Sequence, residues 1–561
     1  MTAAVSLRRL AAIGIALTLV AMLFIATFGE PYGRIFWSLL SLQDGPAAWV
    51  MLLLLLVAVL SRTGDAAGAD RWVMALDRHC LVVATVLWVA LAVGAVFVYQ
   101  DHPLSMDEYA AVFQAKVFAA GALAGRFPPD LIDYLIPPQF QGHFLMVNRT
   151  TGAALSAYWP GYSLALAPFV FTGVPWACNP TIVVASLLLI RRITRDLVEG
   201  DAAPGWAMLF ALASPAFLIN GLSFYSMPLH LLANLAFAWL LLVPSPTRLF
   251  LGGLVGGYAL TLHNPFPHLL FAIPWLLWIL FRCRDSSNAT RQRFGDIVTI
   301  AFGYLLVFLP LGLGWTLWLQ HVLRTGGEVL NLSQGSGAAE LTSMEHWLRV
   351  AGTLLRHFRV PDAEILSARI GGLVKLWLWA APLLPLFAWL GVRRSSTAQL
   401  KLCAASVAVT LLGYLVIPFD QGHGWGYRYA HSAWGILPVL AAAALAHWES
   451  NGVRFDRIGL SRMLLLALVM ANAFFVVQVG VFVHQHLAQR PPIVSGPRVV
   501  VQNGIGYYAD DLVQNDPWLR GDQVVLVCDD ARKAAALVNK YFPGEYAAHS
   551  NSYGTTYQRL R

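Results

Sequence analysis

Along most of this chain apolar residues come in long runs separated by short polar segments, the pattern of helices that cross a bilayer rather than of helices and strands around an aqueous core. Such runs begin near Ala11, Ala47, Leu81, Trp176, Gly205, Met227, Leu249, Phe266, Ile297, Ile370, Leu402, Ser432 and Met463. About thirteen transmembrane helices are expected, at about 20 residues per span. Trp159 to Phe171 is read as a re-entrant or interfacial piece, because a full span there would invert the placement of Arg191 and its neighbours. Three polar stretches, about 100–158, 320–369 and 419–431, are longer or richer in glycine than simple connections. From residue 484 to 561 the chain is polar, and Val499–Val501 and Val524–Val527 read as short strands with Ala531–Tyr541 as a helix,. The expected fold is an all-α polytopic membrane protein over 1–483, with a large outer loop containing interfacial helices and a small C-terminal α/β appendage.

Composition sharpens that picture. Of 561 residues, 58% are hydrophobic and only 12% charged, about half the roughly 25% charged share of soluble domains. The net charge of +8 does not mark a nucleic-acid binder, since the basic residues are scattered between apolar runs. They orient the chain instead. With the N-terminus cytoplasmic, Arg8 and Arg9, Arg71 and Arg78, Arg191 to Arg195, Arg393 and Arg394, and Arg454 to Arg462 all fall inside,. The first run follows two arginines and lacks a small-residue cleavage site, so it is expected to stay as a signal anchor of a plasma or inner membrane protein. The 5 cysteines form no C-x-x-C pair, which signals neither a disulfide framework nor a zinc cluster,.

The sharpest chemical signal is Met106-Asp107-Glu108-Tyr109, just beyond the third run. Met106, Tyr109, Ala110, Phe113, Val117 and Ala120 recur at helical spacing, as in a helix lying in the membrane interface. Paired acids there suit the helix dipole; they could equally hold a divalent cation or take a proton from a hydroxyl. A second signal is Gly422-His423-Gly424-Trp425-Gly426-Tyr427-Arg428-Tyr429, where glycines let the backbone approach a ligand and Arg428 is the one fixed cation,. An aromatic belt with Arg428 reaching to headgroups is the other reading. Lys116 is a further candidate cation, although it lies about 180° around the helix from Asp107. His346, Arg349 and Arg356 share a stripe that could meet a carrier phosphate or anionic lipid. His230, His263 and His268, near span ends, have no metal-ligand spacing.

Asp107-Glu108-Tyr109, then Phe113-Gln114-Ala115 and Ala120-Gly121-Ala122-Leu123, followed by Tyr158-Trp159-Pro160-Gly161-Tyr162, resembles the first large outer loop of GT-C membrane glycosyltransferases, which include protein mannosyltransferases and lipid A aminoarabinose transferases. The resemblance covers roughly residues 80 to 300. Two features depart from it: two extra spans precede the acidic loop, and His263-Asn264-Pro265 stands where many relatives have a basic residue beside a proline. The resemblance implies transfer of a sugar from a polyprenyl-phosphate carrier to an envelope glycan, lipid or protein, with membrane lipids as surroundings and no nucleic-acid partner. Phosphate is already a stable leaving anion, so one carboxylate acting as base is enough, and Asp107 takes that role. Glu108, Lys116, Tyr158, His423 and Arg428 are the expected substrate contacts, with Arg428 offering a bidentate fork to phosphate. The rival classes are a transporter or flippase, which would place ionisable groups near the midplane, and a scaffold whose tail binds an envelope partner.

Overall fold

The computed structural model describes residues 6–60, 66–281, 289–324, 360–394, 397–417 and 421–560. Six of its helices are long and apolar enough to cross a membrane: Leu7–Phe28, Ile35–Leu60, Cys80–Phe97, Pro175–Leu197, Gln292–Arg324 and Arg457–Leu487. Two bent pairs, Ala203–Leu212 with Pro215–Leu222 and Arg428–Trp434 with Ile436–Ser450, bring the number to 8 if each is one span. The chain is a multi-pass membrane protein. The expected number of thirteen is not reproduced among the described residues, although a helix lies at each predicted run. Several of these, such as Met227–Leu241 and Phe266–Phe281, are short apolar helices. The reason is packing: every residue of Ala203–Leu212 is buried, so its apolarity serves protein contact. Cys80–Phe97, by contrast, exposes Leu81, Val82, Val86, Val89, Val93 and Phe97 as a lipid-type face,.

The polar stretch after residue 100 and the tail are folded. After the helix Met106–Ala119 the outer loop forms a three-stranded sheet of β1 (Gly125–Arg126), β2 (Leu145–Val147) and β3 (Ala153–Ser156), antiparallel in the order β1-β3-β2. The tail forms a four-stranded sheet of β4 (Arg498–Gln502), β5 (Gln523–Val527), β6 (Tyr546–Asn551) and β7 (Gly554–Arg559) in the order β5-β4-β7-β6. Only the β4–β5 pair is parallel, joined to the β6–β7 hairpin through the helix Ala531–Tyr541. Thus both predicted strands and the predicted helix of the tail are present, while the polar hairpin gave no apolar signal.

The apolar stripe of the Met106–Ala119 helix is covered by protein rather than left for lipid. That stripe, Met106, Tyr109, Ala110, Phe113 and Val117, packs with Val499, Val501, Val524 and Leu526 of the tail sheet. Ala111, Val112 and Ala115 on the other side join the core of the helical bundle. The helix is sandwiched between bundle and tail because the tail sheet supplies the apolar partner that lipid was expected to supply. The Trp159–Phe171 segment is the 11-residue helix Gly161–Phe171, interrupted by Pro168. It docks through Gly161, whose N–H donates to Thr261 O at 2.8 Å. A Cβ at Gly161 would lie 2.7 Å from that oxygen. This close approach sets Tyr158 beside His263.

At the far end of the bundle the helix Ala66–Arg78 is held by ion pairs. Asp77 takes Arg191 and Arg195, each at 2.6 Å, and Asp70 takes Arg457 at 2.6 Å. The helix Cys178–Leu197 starts near the loop side, where Asn179 donates to Tyr225 O at 2.9 Å, and ends in this basic cluster. Arg191, Arg195 and Arg457 therefore gather at the end of the bundle away from the folded loop and tail.

Candidate functional site

Adjacent residues on a helix point about 100° apart, and the acidic pair diverges accordingly. Glu108 is fully buried; its Oε1 accepts from Tyr99 Oη and Phe224 N at 2.8 Å each, and its Oε2 from Leu104 N at 2.8 Å. It is the N3 glutamate of a helix start, reaching back to an otherwise orphan N–H as in a capping box, here one residue further. Asp107 turns the other way. One oxygen accepts from the Tyr158 hydroxyl and Oδ2 accepts from Arg428 Nη1 at 2.9 Å. The two carboxylates do not converge on a common point, and among the described residues no group of three or more His, Cys, Asp or Glu could hold a metal ion.

Arg428 opens the helix Arg428–Trp434 and is shaped by the Gly-rich turn before it. Its Nη1 also donates to Gln421 O at 2.9 Å and His423 O at 2.6 Å, and its guanidinium lies 4.5 Å from the centre of the Tyr225 ring. Nη1 thus carries all the hydrogen bonds; among the described residues the Nε–Nη2 edge has none. Gly424 has φ +136°, and a Cβ there would sit 2.4 Å from Arg428 Cδ. Only glycine leaves room for the arginine to fold over the turn.

Asp107, Tyr158, Arg428, Trp159, Tyr225 and His263 line one pocket, together with Ala111, Tyr162, Ser163, Ser226 and Leu262. Of the sequence candidates, the structure brings together Asp107, Tyr158 and Arg428. Glu108 faces backbone amides and stays outside the pocket. Lys116 points away, as the helical spacing implied, because the helix runs unbroken to Ala119; it acts instead on Asp101. His423 stands behind Tyr225, hydrogen bonded to its hydroxyl through Nδ1 at 2.8 Å. The stripe of His346, Arg349 and Arg356 lies outside the described residues.

Tyr225 is the pocket residue that sequence reasoning missed, while His263 stood out only as a departure from the family pattern and as a histidine without metal-ligand spacing. Tyr225 sits in a break before Met227-Pro228, a proline helix start that marks the break but not what the ring faces,. His263 lies against Tyr158, with ring centroids 3.9 Å apart and the planes tilted by 40°. His230 and His268 are buried in the bundle, His268 bonded to Asn234 Oδ1 and Tyr304 Oη at 2.7 Å each.

Burial would push the Asp107 carboxyl up, but the Arg428 charge and the hydrogen bonds from Tyr158 and Arg428 outweigh it and hold Asp107 below its ordinary value,. Glu108 goes the other way: burial raises it to about 7 against the pull of its three donors. Burial lowers His263 to about 4, so it is neutral at pH 7. The pocket therefore pairs one fixed carboxylate with one guanidinium among neutral aromatic groups. That arrangement can accept a proton at Asp107 and bind an anion at the guanidinium of Arg428, whose Nε–Nη2 edge has no hydrogen bond among the described residues.

No protein-family model matches this chain, and no curated protein matches it significantly. Among solved structures, ArnT from Cupriavidus metallidurans bound to undecaprenyl phosphate aligns over 84% of this chain and 97% of its own, with 11% sequence identity and a TM-score of 0.48. The apo state of the same protein aligns over 85% and 98%, with 11% identity and a TM-score of 0.45.

Proposed function

We propose that this chain is a GT-C-type glycosyltransferase that moves a hexosyl or pentosyl group from a polyprenyl-phosphate carrier to a hydroxyl of an envelope glycan, lipid or protein. The observation that carries this reading is the Asp107–Arg428 pair, 2.9 Å apart in a pocket on the loop side of a lipid-embedded bundle. In the proposed reaction the acceptor oxygen bonds the anomeric carbon, its proton passes to Asp107, and the carbon–oxygen bond to the carrier phosphate breaks. The phosphate leaves as an anion against the Nε–Nη2 edge of Arg428, a planar fork suited to phosphate oxygens. Preorganised positive charge where negative charge develops is the larger part of such catalysis.

The pair also times the base. With Arg428 turned wholly to Asp107, the carboxylate is a weak base; once the guanidinium shares its charge with the carrier phosphate, Asp107 is less stabilised and accepts a proton more readily. Because Arg428 already supplies the cation at Asp107, transfer is expected to survive chelation. The site faces outward and the N-terminus inward, a reading supported by the basic cluster around Arg191, Arg195 and Arg457 at the other end. With Cys528 changed to Ser, a cysteine at the exposed Ser495 should react with an impermeant thiol reagent in intact cells.

A transporter reading would draw on Lys375 and Asp44, an ion pair inside the bundle whose side chains are 2% and 0% exposed. Neither residue lines the pocket. The deciding experiment is transfer of label from a polyprenyl-phosphate sugar to envelope material in membranes carrying wild type or Asp107→Asn. A general base contributes about 10²- to 10⁴-fold, so Asp107→Asn should transfer almost nothing while accumulating normally. An active Asp107→Asn would remove the residue from the mechanism.

A further inference from the structure

A helix start leaves its first N–H groups without intrahelical partners, and a serine at the N-cap position ordinarily supplies an acceptor. Ser105 holds that position before Met106–Ala119 with extended backbone, φ −135° and ψ 162°, but its side chain makes no cap bond. Its hydroxyl is engaged with Tyr225 Oη at 2.9 Å. The first helical N–H, that of Met106, donates to Asp511 Oδ1 at 2.8 Å, a carboxylate 405 residues further along the chain. Asp511 lies in the 3-10 turn Ala509–Leu512 of the tail domain.

The neighbouring contacts make this turn a rigid support. Tyr109 Oη donates to Asn515 O at 2.7 Å and accepts from Asn515 N at 2.8 Å. The Asn515 side chain bonds both backbone groups of Val525 in β5, each at 2.8 Å. Gln514 Nε2 donates to Pro103 O at 2.8 Å, just ahead of the helix. A run of hydrogen bonds thus leads from the tail sheet to the first turn of the helix, and Asp107 is the residue after Met106.

We propose that Asp511 is a positioning residue for Asp107: the tail domain satisfies the first N–H of the helix, that of Met106, and so fixes the neighbouring carboxylate against Arg428. The catalytic role of Asp107 is taken from the function proposed above, but the cap itself can be tested without any substrate. The phosphate-binding edge of Arg428 belongs to a different element, so loss of the cap should act on the chemical step more than on donor binding.

The experiment compares Asp511→Ala with Asp511→Asn, which keeps an acceptor oxygen. One readout is modification of Asp107 by a water-soluble carbodiimide, followed by peptide mass spectrometry on purified protein. The other is transfer kinetics with a polyprenyl-phosphate sugar. Asp511→Ala should label Asp107 several-fold faster and lower kcat by on the order of 10- to 100-fold, the scale of an ångström of misplacement, with donor KM within about twofold. Asp511→Asn should recover most of both. Should the alanine variant not accumulate, Asp511→Ser, whose hydroxyl is too short to reach Met106, replaces it with the same expectation. Unchanged labelling and kcat in the alanine or serine variant would overturn the proposal, as would an asparagine variant no better than alanine, or faster labelling with kcat intact. Wild-type protein that transfers nothing, yet shows the expected labelling order, would sink the glycosyltransferase reading and leave the cap standing.

Discussion

Arg428 Nη1 and Asp107 Oδ2 lie 2.9 Å apart although 321 residues separate them in sequence, and each determines what the other can do. Asp107 stays ionised within a largely buried site because the guanidinium is there. Among the described residues only the Nε–Nη2 edge of the Arg428 guanidinium lacks a hydrogen bond, because Nη1 makes all three.

Removing either partner therefore changes both. Arg428→Ala should weaken donor use by about 1.5 to 3 kcal/mol, the range for a hydrogen bond to a charged group, and Arg428→Lys should recover only part because the planar fork is lost. The double variant with Asp107→Asn should fall short of the sum of the singles, as for residues in direct contact. Specific transfer rates at matched protein levels give the comparison; additivity would mean the pair does not act as a unit.

Gly424→Ala should reproduce much of the Arg428→Ala defect without touching the charge. The new Cβ would meet Arg428 Cδ at 2.4 Å, and φ +136° is a conformation that alanine rarely adopts,. Donor KM is the sensitive quantity. A variant with wild-type KM would show that the arginine does not need to lie over the turn.

Glu108→Gln should affect folding more than chemistry. The amide nitrogen cannot accept from Leu104 N–H, and an unmet buried donor costs about 1 to 3 kcal/mol. The folded-state value of about 7 lies above the ordinary 4.5, so this group's contribution to stability is fully present below that ordinary value and is lost as pH rises through 7. Melting temperatures of detergent-purified protein from pH 5 to pH 8 should therefore fall more for wild type than for Glu108→Gln. Parallel pH profiles would show that Glu108 is not what titrates.

Lys375 and Asp44 form a sealed ion pair within the bundle, with Trp379 Nε1 donating to Asp44 Oδ1 at 2.5 Å. Lys375→Ala alone should destabilise by about 3 to 5 kcal/mol by leaving a buried carboxylate unpaired. Asp44→Asn combined with Lys375→Met should cost much less, and transfer by the protein that survives should be near wild type. Thermal aggregation in detergent reads the first effect. Full stability with abolished function in the double variant would revive the transporter reading.

Much of the site was legible residue by residue. The Asp107-Glu108 step, the Tyr158 return and the glycine-flanked Arg428 each break the apolar pattern, although a helix start and an aromatic belt would also account for the first and the last. Helical spacing also indicated that Lys116 faces away from Asp107. It could not separate the roles of the two acids, because both suit a helix start and only the positions of Leu104, Phe224 and Tyr99 claim Glu108 for the backbone. His263 stood out only as a departure from the family pattern, since a histidine at a span end has the same local sequence whether or not its ring lies against Tyr158.

By itself the sequence determined the membrane class, two strands and the helix of the tail, and the fact that Met106, Tyr109, Phe113 and Val117 need an apolar partner, because period and composition are local properties written in consecutive residues. What that partner is, how many apolar helices face lipid and how many face protein, and which carboxylate meets Arg428 were decided only by the tertiary structure. Those depend on contacts between segments hundreds of residues apart, such as Met106 with Asp511 and Asp107 with Arg428. Periodicity shows that a face must be covered; only packing in three dimensions selects the surface that covers it.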